Sequence, residues 1–191
     1  MLNRKQSYEL LKKYLKDEKN LLHSIESEAI MRALAQRLNQ DQERWGLLGL
    51  LHDIDWELVG DKTEDHLTKA PEILKEAGFD DEFIETVVSH GYGFECAGLQ
   101  DKKRSREVEY ALACAETVTG LIYAAVLVRP DKKIANMELK SLKKKFKDKA
   151  FAANCNREVI RECEQLGIEI DEFLQISLDA MKGIADQIGL A

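Results

Sequence analysis

Apolar residues recur along this chain at the spacing of one helical face, and no stretch of useful length shows the alternation of a strand. Residues 6–17 place Tyr8, Leu11, Tyr14 and Leu15 on one side. Residues 23–38 repeat Ile25, Ala29, Ile30, Ala33, Leu34 and Leu38 at the helical period. Residues 43–53 read as a mostly apolar helix that ends at the pair His52-Asp53. After a loop at Gly60, Thr68 is the expected cap of a helix through Ala77, with Pro71 in its first turn and Gly78 just past its end. Asp80 or Asp81 caps a helix carrying Phe83, Ile84, Val87 and Val88, closed by Gly91 after His90. Ser105 opens a long helix that Pro130 stops. Asn136 caps a lysine-rich helix to about Phe146, and Asn156 opens another that ends before Gly167. Asp171 opens the last, with Phe173, Leu174, Leu178, Met181, Ile184 and Ile188 inward. There is no Asn-Gly or Asp-Gly turn, no linker and no repeat. The pattern predicts an all-α fold, a single domain over residues 1–191, with roughly seven to nine helices in one compact bundle.

Composition changes little in that picture. Hydrophobic residues are 45% and charged residues 33% of 191, ordinary for one globular domain with a full core. The net charge of −7 argues against a nucleic-acid partner, because a phosphate backbone demands clustered Lys and Arg. The run Lys140 to Lys149 holds six lysines and reads as a solvated helix face. The N-terminus leads into a charged helix, not an apolar signal core. The longest uninterrupted apolar run, Leu121 to Val128, is eight residues, short of a bilayer span. A cytoplasmic location without membrane contact is therefore expected. Cys96, Cys114, Cys155 and Cys163 form no CxxC pair and read as reduced thiols, with Cys114 and Cys163 packed in the core.

The candidate chemistry lies in the histidines. The chain has four, His23, His52, His66 and His90, at separations of 29, 14 and 24 residues, and each falls in or at the end of a predicted helix. Asp53 follows His52 directly. Glu116, 26 residues beyond His90, stands alone in the apolar run Ala111 to Val118, on the helical face of Leu112, Thr119 and Tyr123. A carboxylate there costs several kcal/mol unless paired or bound to a cation. No Arg or Lys lies within one turn, although Arg32 or Arg37 could reach it from elsewhere in the fold. Helices can bring such residues to one interior point. Imidazole with carboxylate suits Fe, Mn, Co, Ni or Zn better than Ca or Mg. Six such ligands are too many for one tetrahedral zinc and suit two octahedral ions sharing a carboxylate.

The stretch Gly46-Leu47-Leu48-Gly49-Leu50-Leu51-His52-Asp53-Ile54-Asp55, with the order His, His-Asp, His, His, acid and the downstream Thr119-Gly120-Leu121-Ile122, resembles the HD-domain superfamily of metal-dependent phosphohydrolases. The likeness covers about residues 20–130, and helices 131–191 read as packing on that core. It implies a helical HD-type domain with a divalent metal at His23, His52, Asp53 and Glu116. His66 and His90 match the members that hold two ions. Glu116 departs from the usual Asp by one methylene.

On that resemblance Asp53 bridges the two ions, with His23, His52 and Glu116 on one and His66 and His90 on the other. A metal-activated hydroxide is the nucleophile, and one or two ions, Fe or Mn first, with Co, Ni, Zn or Mg as alternatives, are the cofactor. Asp55 and Glu57 are candidates for orienting the centre or for acid catalysis. Lys62, Lys102, Lys103 and Arg104 are candidates for holding substrate phosphate. The expected substrate is a nucleotide or another small phosphoester. Two further functions fit the same residues: a di-iron oxygenase, and a nucleotide- or metal-binding module without turnover. Gly91-Tyr92-Gly93-Phe94 reads as a helix C-cap and turn, with a flexible lid over the site as the alternative. The apolar face of Leu174, Leu178 and Met181 fits either core or a homodimer contact.

Overall fold

The computed structural model describes residues 2–191, and every regular element in them is helical. Helix α1 spans Arg4–Tyr14 and is closed at its start by Asn3, whose side chain accepts from the Gln6 amide while Gln6 answers the Asn3 amide. Helix α2, Glu18–Arg37, starts under the cap of Asp17. Helix α3, Gln42–Leu51, starts under Asp41. A single turn α4, Trp56–Val59, and a 3-10 turn, Thr63–Asp65, lead to α5, Ala70–Glu76, and α6, Asp81–Ser89. Helix α7, Glu107–Leu127, crosses the centre of the molecule. Helices α8, Leu139–Lys147, α9, Arg157–Arg161, and α10, Ile170–Lys182, close the bundle.

Helix α2 packs along α3 and against α7 and α10, while α6, α8 and α9 lean on α7. Buried residues from Leu11 in α1 to Leu190 after α10 form one apolar cluster, with Leu34, Leu50, Phe83, Leu121 and Phe173 fully enclosed. Leu174, Leu178 and Met181 are part of it and so serve as core. By length and mean hydropathy α7 could cross a membrane, more than its eight-residue apolar run suggests; here 61% of its most apolar stretch is buried among the other helices.

The periodicity locates the helices, and several caps fall elsewhere than expected. Asp80 caps α6. Thr68 does not cap α5, because its hydroxyl turns back to the Asp65 carbonyl. The amides of Lys69 and Ala70 at the start of α5 are instead taken by Asp55, from 14 and 15 residues upstream. Arg106, not Ser105, precedes α7, and Glu109 reaches back to both their amides. Glu138 and Glu169 occupy the cap positions of α8 and α10 that Asn136 and Asp171 were expected to hold.

One glycine sets the geometry of the centre. A Cβ on Gly49 would stand 2.6 Å from the Ser27 carbonyl oxygen, so α2 and α3 touch backbone to backbone there. That contact lies about one turn from His23 on α2 and from His52 on α3, and it brings the two rings together.

Candidate metal centre

All four histidines and Asp53 converge. His23 comes from α2, His52 caps the C-terminus of α3, His66 follows the 3-10 turn, and His90 caps the C-terminus of α6. Nε2 of His23 lies 3.1 Å from Nε2 of His52, and Nε2 of His66 lies 3.1 Å from Nε2 of His90. The Asp53 carboxylate stands between the pairs. Its Oδ2 is 3.7 Å from His23 and 3.4 Å from His52, and its Oδ1 is 3.3 Å from His66 and 3.3 Å from His90. Glu116 on α7 joins His23 and His52, with one ligand atom from each within 4.8 Å of the others; His52, Asp53 and His90 form a second such group.

The outer face of each ring determines its tautomer. His52 Nδ1 lies 2.8 Å from the Gly49 carbonyl and His90 Nδ1 2.6 Å from the Val87 carbonyl. Carbonyls only accept, so both nitrogens carry hydrogen. His66 Nδ1 lies 3.0 Å from Oδ1 of Asp55; burial raises the pKa of this carboxylate, but His66 and the Lys69 and Ala70 amides together hold it below its ordinary value. His23 Nδ1 lies 2.9 Å from the Thr119 hydroxyl, which donates its own hydrogen to the Glu116 carbonyl at 2.6 Å and therefore accepts from the ring. In neutral form, all four rings thus direct an Nε2 lone pair toward Asp53. Paired lone pairs at 3.1 Å around an anion repel one another unless positive charge lies between them. Four imidazole nitrogens and two carboxylates are a donor set for a divalent transition metal, and they fit it.

The protein's own charges express the same demand. Burial raises the pKa of Asp53, and His52, with hydrogen bonds from His66 and His90, overrides that and holds it well below the usual carboxylate range. At His66 burial opposes a proton, yet Asp53 and Asp55 bring its pKa to about 9. Burial and then the neighbouring His52 lower His23 to about 4. Burial raises Glu116 to about 7 against the pull of His52.

A cavity of about 410 Å³ opens onto this centre. Asp53, His66, His90 and Glu116 form its floor. Trp56, Thr63, Phe94 and Glu95 stand around it, with Cys96. Trp56 meets the His66 ring edge to face at 4.9 Å. Leu67, next to His66, is buried at φ 69°, a left-handed conformation for a branched residue.

The other residues singled out in the sequence are placed elsewhere. Asp55 is beside the centre but fully engaged: one oxygen orients His66 and the other caps α5, so it is a positioning residue and not an acid facing the cavity. Glu57 points away, accepting the Lys16 and Asp17 amides and the Asn20 side chain at the start of α2. Arg104 is tied to Glu162 and to the carbonyls of Ser89, His90 and Tyr92. Lys62 faces a different depression, beside Tyr14 and Val59, and Lys102 and Lys103 are exposed and do not line the cavity. Arg32 pairs with Glu28 and Glu43, and Arg37 with Glu172, so neither neutralises Glu116. The sequence reading missed Thr119 as the group that orients His23, although Thr119 shares the Glu116 face. It also passed over Trp56 and Glu95, which carry no motif.

The HD-domain family model matches residues 20–116, from the start of α2 to Glu116 itself. Two curated proteins called Ribonuclease Y are similar over 100 residues at 30% identity. One is from Mycoplasma mycoides and one from Mycoplasma mycoides subsp. mycoides SC. The shared stretch covers 52% of this chain but only 22% and 18% of those proteins. No solved structure matches the chain.

Proposed function

We propose, from the premise that this chain belongs to the HD-domain family of metal-dependent phosphohydrolases, that it hydrolyses a small phosphoester at a two-ion centre bridged by Asp53. The observation that carries this reading is the division of the Asp53 carboxylate, with one oxygen turned to each pair of histidines. His23, His52 and Glu116 would hold one ion, and His66 and His90 the other. Such ions lower the pKa of water and neutralise charge on a phosphoryl oxygen. The chain's own residues keep the centre in register. Thr119, Gly49, Asp55 and Val87 fix which nitrogen of each ring faces inward, an orienting role that raises ligand basicity. Trp56 backs the His66 ring on the side facing the cavity.

The cavity supports a small substrate. Its 410 Å³ lies within the range of small-molecule sites, roughly 300–1,000 Å³. No Lys or Arg lines it. The similar proteins are named ribonucleases, and a polynucleotide substrate would need basic side chains along a groove. The acidic lining would repel further phosphates of a polynucleotide, whereas a single phosphoryl group would meet only the ions held by the histidines, which supports the small phosphoester.

The test joins metal analysis to turnover. Protein purified without chelator and loaded with Mn or Fe is expected to hold two ions per chain and to release phosphate from small phosphomonoesters, and Asp53→Ala to lose both. Cleavage of an RNA oligonucleotide in preference to the small esters would favour the ribonuclease reading. Turnover that required oxygen would move the assignment to an oxygenase. Tight metal or nucleotide binding without turnover would leave a binding module.

A further inference from the structure

The cavity wall has a charge pattern that the metal centre does not explain. Asp53 and Glu116 belong to the centre, but Glu95 is a third carboxylate, set at the wall and solvent-exposed. Beside it Phe94 stays 40% exposed, an apolar ring with a free face at the same opening. The nearest arginine in sequence, Arg104, is committed to Glu162 and three carbonyls.

The segment carrying both residues is held in place. The Gly93 amide donates to the Leu99 carbonyl at 3.1 Å and the Cys96 amide to the Phe94 carbonyl at 2.9 Å. The Ala97 amide crosses to the Glu64 carbonyl at 2.8 Å and ties the loop to the 3-10 turn before His66. At the other end Arg104 grips the carbonyls of Ser89, His90 and Tyr92. Phe94 and Glu95 are therefore presented to whatever occupies the cavity at little ordering cost.

We propose that Glu95 and Phe94 select the part of the substrate that is not phosphate: a phosphomonoester with one phosphate and a nitrogen donor at its other end. This rests on the phosphohydrolase reading. A single phosphoryl group is neutralised at the floor. Any further anionic group extends toward Glu95, where no cation answers it. An ammonium or an amino-bearing ring instead donates to Glu95 and lies against Phe94. The pocket accordingly rejects nucleoside di- and triphosphates and carboxylated esters.

The experiment compares kcat/KM within two matched sets on metal-loaded protein: AMP against ADP and ATP, and phosphoethanolamine against phosphoglycolate. The first member of each set is expected to lead by at least about tenfold, since like-charge juxtaposition suppresses wrong partners. Glu95→Gln should narrow both ratios, and Glu95→Lys should reverse at least one. Phe94→Ala should weaken AMP more than phosphoethanolamine if the donor is a flat base, and the two equally if it is a flexible ammonium. Wild-type turnover of p-nitrophenyl phosphate with equal turnover of ATP and phosphoglycolate overturns the selection and leaves the phosphohydrolase standing. Ratios that do not move in Glu95→Lys overturn it as well. No turnover of p-nitrophenyl phosphate or of either set, with metal bound, overturns both.

Discussion

Arg157 and Asp53 are both charges enclosed by helices, and the fold answers them in opposite ways. The Arg157 guanidinium, 9% exposed, donates to the carbonyls of Lys145, Phe146, Asp148, Phe151, Ala152 and Cys155. Three of these lie at the C-terminal end of α8, where helix carbonyls lack partners and attract a cation. Asp53 is met by four ring nitrogens whose outer contacts leave lone pairs facing it when the rings are neutral, and without another cation His66 holds a proton there. A charge whose donors are all used by the main chain is a structural part. A charge surrounded by further lone pairs is a socket for a cation that the chain does not itself supply. Both are largely withdrawn from solvent, although the Asp53 side chain stays 18% exposed to the cavity, so withdrawal alone does not mark a functional charge; the partners do.

The comparison breaks most sharply by mutation of each charge in turn. On the proposed function, Asp53→Ala is expected to lower kcat by about 10³-fold or more, because the ligand assigned to both ions would be gone. Its metal-free melting temperature should fall less than that of Arg157→Ala, because what is lost is the attraction between the Asp53 carboxylate and the rings that hold it charged. A loss of metal-free stability as large as that of Arg157→Ala would mean that Asp53 is structural first. Arg157→Ala should do the reverse. Six carbonyls lose their donor, and a cost of about 3–5 kcal/mol in urea unfolding is expected, with metal content per folded chain unchanged.

Glu26 is a buried carboxyl to which neither solution applies. It lies on α2, 4% exposed, and its Oε1 has no hydrogen-bond partner. Burial raises its pKa from 4.5 to about 8. The folded protein keeps the proton that the unfolded chain loses near pH 4.5. The stability Glu26 allows is fully present below pH 4.5 and is lost as pH rises through about 8, at about 1.4 kcal/mol per unit between. Glu26→Gln should therefore match the wild type at pH 4.5 and exceed it by a few kcal/mol above pH 8. Parallel pH profiles for the two proteins in urea unfolding would refute this.

What was legible in the sequence follows the same division. The helices could be read because their apolar faces repeat locally, and the ligands because His and Asp at helix ends have few other uses. The HD-family match ends at Glu116, the last ligand the pattern named. The caps of α5 and the start of α2 could not be read, because Asp55 and Glu57 supply them from 14 and 41 residues away in the chain. The same two carboxylates read as candidates for orienting the centre or for acid catalysis because their sequence neighbourhood was the motif; Asp55 does orient His66, while the partners of Glu57 lie elsewhere. Arg104 looked like a phosphate ligand until Glu162, 58 residues on, was found to claim it. Local periodicity writes itself into sequence; a long-range hydrogen bond does not.

Asp55 offers the finest test, because it belongs to both classes: one oxygen serves the fold and the other serves the centre. Its Oδ2 accepts the Lys69 and Ala70 amides at 2.9 Å each, and its Oδ1 accepts His66 Nδ1–H at 3.0 Å. In Asp55→Asn the amide oxygen can keep the helix cap, so its NH2 must face His66. Two donors then oppose each other, and the ring restores a hydrogen bond only by moving its hydrogen to Nε2. That nitrogen would enter the centre as a donor and could no longer bind metal. The expected outcome is a 10–100-fold loss of affinity for the ion held by His66 and His90. The ion at His23, His52 and Glu116 should stay, and the melting temperature without metal should change little. Metal titration should then show one tight ion and one weak ion per chain. Two ions weakened equally would mean that Asp55 acts through the fold and not through the tautomer of His66.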